Sequence, residues 1–352
     1  MRVAVLGGGA IGLGMAAFLA ENGHRPVVWS RSGAPAVLEV AGALTGHVPL
    51  EVAPGPAAAV TQAEAVVLAL PANHHRAVLD AVAPHLGAGQ AVILSGHLSF
   101  GALYLARLLA ARGVMLPIIA LGTTVVTGRR TGPGAVRIGS IRAQVDLATL
   151  PVAQAEAGLA LCRALCGDRF RLRDGLLAIA LSNVNPQNHM GIALCNLTRM
   201  ERSEDWRQND NITDAVGRLL EALDAERLAI AGALGLGVRT LRQHFALSFH
   251  VPEAPLGEMA RAMAARGDNP QAPATLDTRY VLEDVPFGLM PTARLGRLVG
   301  RPAPLHEAGI ALLSALYGRD LAAANDLLPG IGFDDLSLPR LQALCRDGWC
   351  AA

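Results

Sequence analysis

Aromatic residues make up only 4% of the 352 residues, and tryptophan occurs three times, at Trp29, Trp206 and Trp349. Proteins that hold single-stranded nucleic acid stack bases on aromatic rings, and this chain has too few rings for such a platform. An excess of one charge is missing too. With 30 basic and 29 acidic residues, no electrostatic footprint exists for nucleic acid or an anionic membrane. No apolar run approaches the ~20 residues needed to cross a bilayer. The opening MRVAVLGGGAIGLGMAAFLA imitates a signal peptide, but a glycine cluster interrupts its apolar run and no convincing cleavage site follows. The five cysteines lack metal-ligand spacing. Cys162 and Cys166 stand one helical turn apart, as residues packing a helix face do. No metal is expected, and few cysteines in a long chain fit a reducing, cytoplasmic setting. The length accommodates two domains, each with its own core.

What is present begins with RVAVL (2–6), a β-rich run that leads into Gly7-Gly8-Gly9-Ala10-Ile11-Gly12 and then a helical stretch, 13–23. This is G-x-G-x-x-G in the setting that gives it meaning, after a strand and opening a helix. Gly7 permits the tight turn, Gly9 lets the backbone approach a pyrophosphate, and Gly12 allows helix to pack closely on strand. Helix N–H groups at Gly9, Ala10, Ile11 and Gly12 then face the phosphates. The second strand (25–30) ends in Ser30-Arg31-Ser32, where NAD-binding chains tend to carry an acid. A guanidinium flanked by hydroxyls suits a 2′-phosphate, so NADP(H) is favoured over NAD(H).

Further strands at 65–71, 91–94 and 115–121 alternate with helical segments at 74–86 and 100–113. The expected architecture is α/β, an N-terminal Rossmann unit with a doubly wound parallel sheet. Loops opening at Pro71, Ser95 and Gly122 leave the carboxyl ends of strands and should face cofactor or substrate. Among them, Thr123 and Thr124 are candidates to hydrogen-bond substrate. His74 and His75 are adjacent, diverge on a helix, and read as surface or capping residues. The 123–151 stretch alternates β-branched residues with turn signals, which predicts antiparallel strands appended to the sheet, before a last helix and strand at 152–173.

From residue 175 the pattern turns helical, most plainly over 219–235. The domains are therefore expected at 1–174 and 175–352, the second all-helical. Asn185-Pro186 looks like an N-cap followed by proline at the first helical position, placing His189 in the first turn among Asn183, Asn185, Gln187 and Asn188. Alone, His189 reads as a core histidine with a satisfied hydrogen bond. RYVLEDVPFGLMP (279–291) sets Arg279 five residues before Asp284. Glu283 reads as structural or solvent-facing on an extended stretch, and Pro286 and Gly288 as turn-forming.

Together these stretches resemble the octopine/opine dehydrogenase family over nearly the whole chain. The resemblance rests on VAVLGGGAIG, LGTTVVTGRRTGPGAVRIG, the Asn-Pro-x-x-His element at 185–189, LDAERLAIAGALG and RYVLEDVPFGLMP. His189 and Asp284 lie 95 residues apart, as the family's catalytic pair does. The resemblance implies a 6-phosphogluconate-dehydrogenase-like C-terminal domain, with His189 as acid/base, Asp284 as its partner and Arg279 as clamp for a substrate carboxylate. It implies that an amino acid and a 2-oxo acid are the substrates, joined as an imine that is then reduced. A carboxylate at hydrogen-bond distance should outweigh the helix N-terminus and favour protonated imidazole. Ser30-Arg31 departs from NAD-specific members. A homodimer is compatible with this reading. The rival readings are a ketopantoate-type 2-oxo acid reductase and a non-catalytic NADP(H)-binding sensor.

Overall fold

A computed structural model describes residues 1–349. It divides into two compact units, one of residues 1–180 together with the C-terminal segment from Leu327, the other of residues 181–326.

Short β-branched runs build the first unit. Twelve strands occur among the described residues: β1 (Arg2–Leu6), β2 (Arg25–Trp29), β3 (Val37–Gly42), β4 (Gly46–Pro49), β5 (Glu51–Val52), β6 (Ala65–Leu68), β7 (Ala91–Leu94), β8 (Ile118–Leu121), β9 (Val126–Gly132), β10 (Ala135–Ile141), β11 (Val145–Leu150) and β12 (Phe170–Leu172). Eight of them form one sheet in the order β12-β11-β8-β7-β6-β1-β2-β5. Its centre is parallel, with Val5 level with Val28 and Val67, while β11 runs antiparallel to β8. β6, β7 and β8 are buried throughout, as parallel strands covered on both faces must be. The doubly wound sheet is as expected.

The 126–141 hairpin departs from expectation. It is not appended to the main sheet but joins β3 and β4 in a second, four-stranded sheet ordered β4-β3-β10-β9. That sheet packs against helix α1 (Ala10–Glu21), where a Cβ on Gly14 would lie 3.3 Å from Val126 and 3.6 Å from Ile138. Sequence pattern identified the antiparallel pairing but not its edge partner, because the parallel match of β10 to β3 spans almost a hundred residues.

The division between units also differs from a single cut at 174/175. The last described residues return to the first unit, where Trp349 Nε1 donates to the Leu103 carbonyl at 3.0 Å and Arg107 donates to the Gly330 carbonyl at 2.6 Å. Local periodicity carries no trace of such long-range bonds.

Helices make up the second unit. Asp214–Ala233, capped by the Thr213 hydroxyl, is its longest. Buried Arg227 donates to Asp224 Oδ1 through Nε (2.9 Å) and a terminal nitrogen (2.7 Å), and also reaches the Leu181 and Arg239 carbonyls. Glu226, next to it, accepts from His306 Nδ1 at 2.7 Å and from the backbone N–H groups of Leu305 and His306. Asp224, Glu226 and Arg227 thus tie one helix to its neighbours, which gives the LDAERLAIAGALG stretch a structural task. Asn185–Cys195 packs on the same helix so closely that a Cβ on Gly191 would come within 2.5 Å of Leu220. No helix among the described residues is long and apolar enough to cross a membrane.

Candidate active site

The glycine loop of the first unit is tight at two positions and open at a third. Gly7 adopts φ 137°, and a Cβ there would stand 2.3 Å from the Ala69 carbonyl oxygen. A Cβ on Gly12 would come 2.0 Å from the Gly7 oxygen. Around Gly9 nothing lies within 4 Å, so its face is open to a ligand. Helix α1 begins at Ala10 with no side-chain cap, leaving the N–H groups of Ala10, Ile11 and Gly12 without intrahelical acceptors. A pyrophosphate fits this loop: its anionic oxygens need the donors that α1 exposes.

At the end of β2, the Ser30 and Ser32 hydroxyls lie 3.2 Å apart, and Arg31 is exposed. Pro71 caps a short turn, Ala72–His74, after β6. Thr124 uses its hydroxyl internally, on the Val126 carbonyl at 2.7 Å, while half-buried Thr123 has no such bond. His75 is a correction: it is not a surface residue but is buried, with Nε2 2.9 Å from the Leu70 carbonyl. His97, after β7, is also buried. Burial pushes His75 down to about 4 and His97 to about 3, so both imidazoles are neutral at physiological pH.

In the second unit, His189 and Asp284 meet. His189 Nδ1 lies 2.7 Å from Asp284 Oδ2, with the carboxylate side chain 1% exposed and the imidazole 12%. The other Asp284 oxygen is buried without a partner among the described residues. His189 comes from the first turns of Asn185–Cys195. The capping differs: Asn185 is already helical and Val184 is the N-cap, without a side-chain cap, while the Asn183 side-chain oxygen accepts from the Asn185 N–H at 3.0 Å. Asp284 comes from a junction rather than an extended strand. Arg279–Leu282 is a short helix, and Val285–Leu289 is one π-helical turn leading into Met290–Leu298. Such π-turns recur at functional sites because the wider turn re-aims neighbouring side chains. Pro286 and Gly288 belong to that turn. Glu283 is structural rather than solvent-facing: it is buried, with its carboxylate 3.3 Å from Arg279 Nε. The Arg279 side chain is 57% exposed. It is therefore anchored at Nε while more than half of the side chain is exposed.

Tyr280 is the residue that sequence reasoning missed. Its ring stacks on His189 with centroids 3.7 Å apart and planes 10° from parallel. Only three tyrosines occur in the chain, and one sits inside the RYVLEDVPFGLMP motif, which was the available signal. No group of three or more potential ligands that would hold a metal exists among the described residues.

A buried carboxylate on one imidazole nitrogen, beside an exposed guanidinium, is equipped for proton transfer next to a bound anion. Residues 172–317 match the family of NAD/NADP octopine/nopaline dehydrogenases, at its α-helical domain. Residues 3–150 match the ketopantoate reductase family PanE/ApbA. The opine dehydrogenase of Arthrobacter sp. (strain 1C) is 31% identical over 290 residues, covering 81% of this chain and 79% of the relative. An octopine dehydrogenase solved with NADH and L-arginine shares the fold, with TM-score 0.80 at 17% identity over 98% of both chains. A yersinopine dehydrogenase bound to NADP+ superposes with TM-score 0.69 at 16% identity, over 94% of this chain and 97% of that one. This chain belongs to the opine dehydrogenase family, and it is an NAD(P)-dependent oxidoreductase acting on CH–NH groups.

Proposed function

We propose that the protein joins an amino acid to a 2-oxo acid and reduces the resulting imine, with NADP(H) as the preferred cofactor. The observation that carries this reading is the 2.7 Å contact between His189 and a fully buried Asp284. With Nδ1 committed to the carboxylate, Nε2 is the nitrogen left for substrate, an acceptor when neutral and a donor when protonated. His189 donates a proton to the oxo-acid carbonyl oxygen as the amine adds and water leaves. Asp284 holds the imidazole in one orientation. Arg279, anchored through Glu283, presents its remaining N–H donors to the substrate carboxylate. Thr123 adds a hydrogen bond to the oxo acid. Bound nicotinamide supplies the hydride. Gly7, Gly9, Ala10, Ile11 and Gly12 hold its pyrophosphate, Pro71 lines the neighbouring loop, and Ser30, Arg31 and Ser32 receive the 2′-phosphate.

An oxo-acid panel (pyruvate, glyoxylate, 2-oxoglutarate) run with NADPH, with and without each of the twenty amino acids, tests this directly. Amino-acid-dependent NADPH oxidation is expected, with a secondary amine as product by mass spectrometry. Oxidation at full rate without any amino acid, giving a hydroxy acid, would replace this reading with direct carbonyl reduction. The match of residues 3–150 to ketopantoate reductases makes that the relevant rival.

A further inference from the structure

His189 is held in two ways, and the carboxylate explains only one of them. A single hydrogen bond at Nδ1 fixes a direction in the imidazole plane but leaves the ring free to swing about the Nδ1···Oδ2 line. The face of the ring is held by Tyr280, whose plane lies 10° from parallel at 3.7 Å between centroids. Tyr280 is itself tethered, its hydroxyl donating to Gln208 Oε1 at 2.6 Å. Gln208 in turn belongs to a loop sewn to the segment that leads into Tyr280. The Gln208 N–H donates to the Pro270 carbonyl (3.0 Å), the Ala272 N–H to Trp206 (3.1 Å), and Trp206 Nε1 to Pro273 (2.9 Å). Arg207 and Gln271 form an antiparallel bridge between the two segments. This is more order than a loop needs merely to cover a core.

We propose that Tyr280 is a positioning residue for the acid/base histidine, fixing the plane of the ring and with it the direction of Nε2. This rests on the role assigned to His189 above. Burial pushes the Tyr280 phenol up to about 12, the nearby Arg279 opposing and Asp284 reinforcing, so the hydroxyl stays a neutral donor to Gln208. The charged and titratable groups gathered here are Asp284, Tyr280, Arg279 and Glu283. The helices Asp214–Ala233 and Pro304–Leu316 meet the His189 helix through apolar contacts, Leu220 at Gly191 and Gly309 at Met190.

Three variants of the full chain separate this role from a merely structural one: Tyr280→Leu, Tyr280→Phe and Gln208→Leu. Each is assayed for NADPH affinity, kcat and KM for the oxo acid. Leu fills space without an aromatic face. It should lower kcat about 10–100-fold. KM and NADPH affinity should stay within about threefold, because neither ligand is held by this ring. Phe keeps the stack but loses the hydroxyl tether to Gln208, and Gln208→Leu loses the same tether while keeping the phenol, so both should fall between Leu and wild type. A Leu variant with wild-type kcat overturns the proposal, as does a Phe variant damaged as badly as Leu. Should Leu fail to fold, a Gln208→Leu variant with unaltered kcat overturns it as well. His189→Ala is the control for the underlying reading. If that variant turns over normally, the assignment of His189 is at fault rather than the stack.

Discussion

In the first unit the pyrophosphate site rests on main chain. Gly7, Gly9 and Gly12 matter for the side chains they lack, and the groups offered to phosphate are the amides that open α1. In the 181–326 unit the candidate catalytic site rests on side chains drawn from far apart: His189 from one helix, Asp284 from a π-turn 95 residues later, and Tyr280 tethered through Gln208. The contrast teaches where tolerance lies. A backbone site fails when atoms are added, whereas a side-chain site fails when they are removed or re-aimed.

The largest effect should come from adding atoms where none fit. Gly12→Val places a Cβ against the Gly7 carbonyl and should cost more than about 3 kcal/mol in stability or abolish cofactor binding. Gly9→Ala, with nothing within 4 Å, should leave Tm unchanged while weakening NADPH binding. Thermal melts paired with NADPH titrations separate the two, and equal damage to Tm would break the contrast.

Re-aiming a side chain should matter next. Arg279→Lys keeps the charge but loses the planar fork, and should lower kcat/KM for the oxo acid by about 10–100-fold, or ~1.5–3 kcal/mol. The readout is initial rates across oxo-acid concentrations, and an unaltered kcat/KM would remove Arg279 from the clamp.

A smaller effect concerns pH. His75 and His97 are held neutral in the folded first unit, to about 4 and about 3, and protonate more readily once unfolded. The unfolded state therefore binds more protons below the ordinary histidine range. Stability is fully present above that range and is lost as pH falls toward the folded values. Between pH 6.5 and 5.5 the loss should be roughly 1 kcal/mol per histidine. Denaturant titrations of His97→Phe against wild type should show a shallower pH slope for the variant.

A separate effect concerns cofactor choice rather than stability. Arg31→Asp should shift the NADPH:NADH preference by about tenfold, ~1.4 kcal/mol, toward NADH. A ratio of KM values that does not move would assign the 2′-phosphate elsewhere.

Legibility in the sequence follows the same contrast. The glycine turn was readable because its logic is local: strand, turn and helix are contiguous, and each glycine's task follows from one turn. The pairing of His189 with Asp284 was not derivable from spacing alone and came from the family resemblance. The solvent-facing alternative for Glu283 fails because an extended reading of 279–289 puts neighbours on opposite faces, whereas the observed short helix brings residue 283 back toward 279. The expectation of a surface or capping His75 fails because nothing local reveals that its ring turns inward to the Leu70 carbonyl. Tyr280 escaped notice because stacking depends on the placement of two helices, which no window of sequence encodes. The second sheet and the returning C-terminal segment were missed for a similar reason, since their partners are distant in the chain.

The central claim is that His189, oriented by Asp284, moves the proton that makes the imine chemistry possible. Its most direct test is a single-turnover measurement of NADPH oxidation by wild type and His189→Ala, each preloaded with cofactor and mixed with amino acid and 2-oxo acid. The account predicts a rate lower by about 10²–10⁴-fold in the variant, with NADPH affinity changed by no more than a few-fold. A variant that oxidises NADPH within about twofold of the wild-type rate would contradict it.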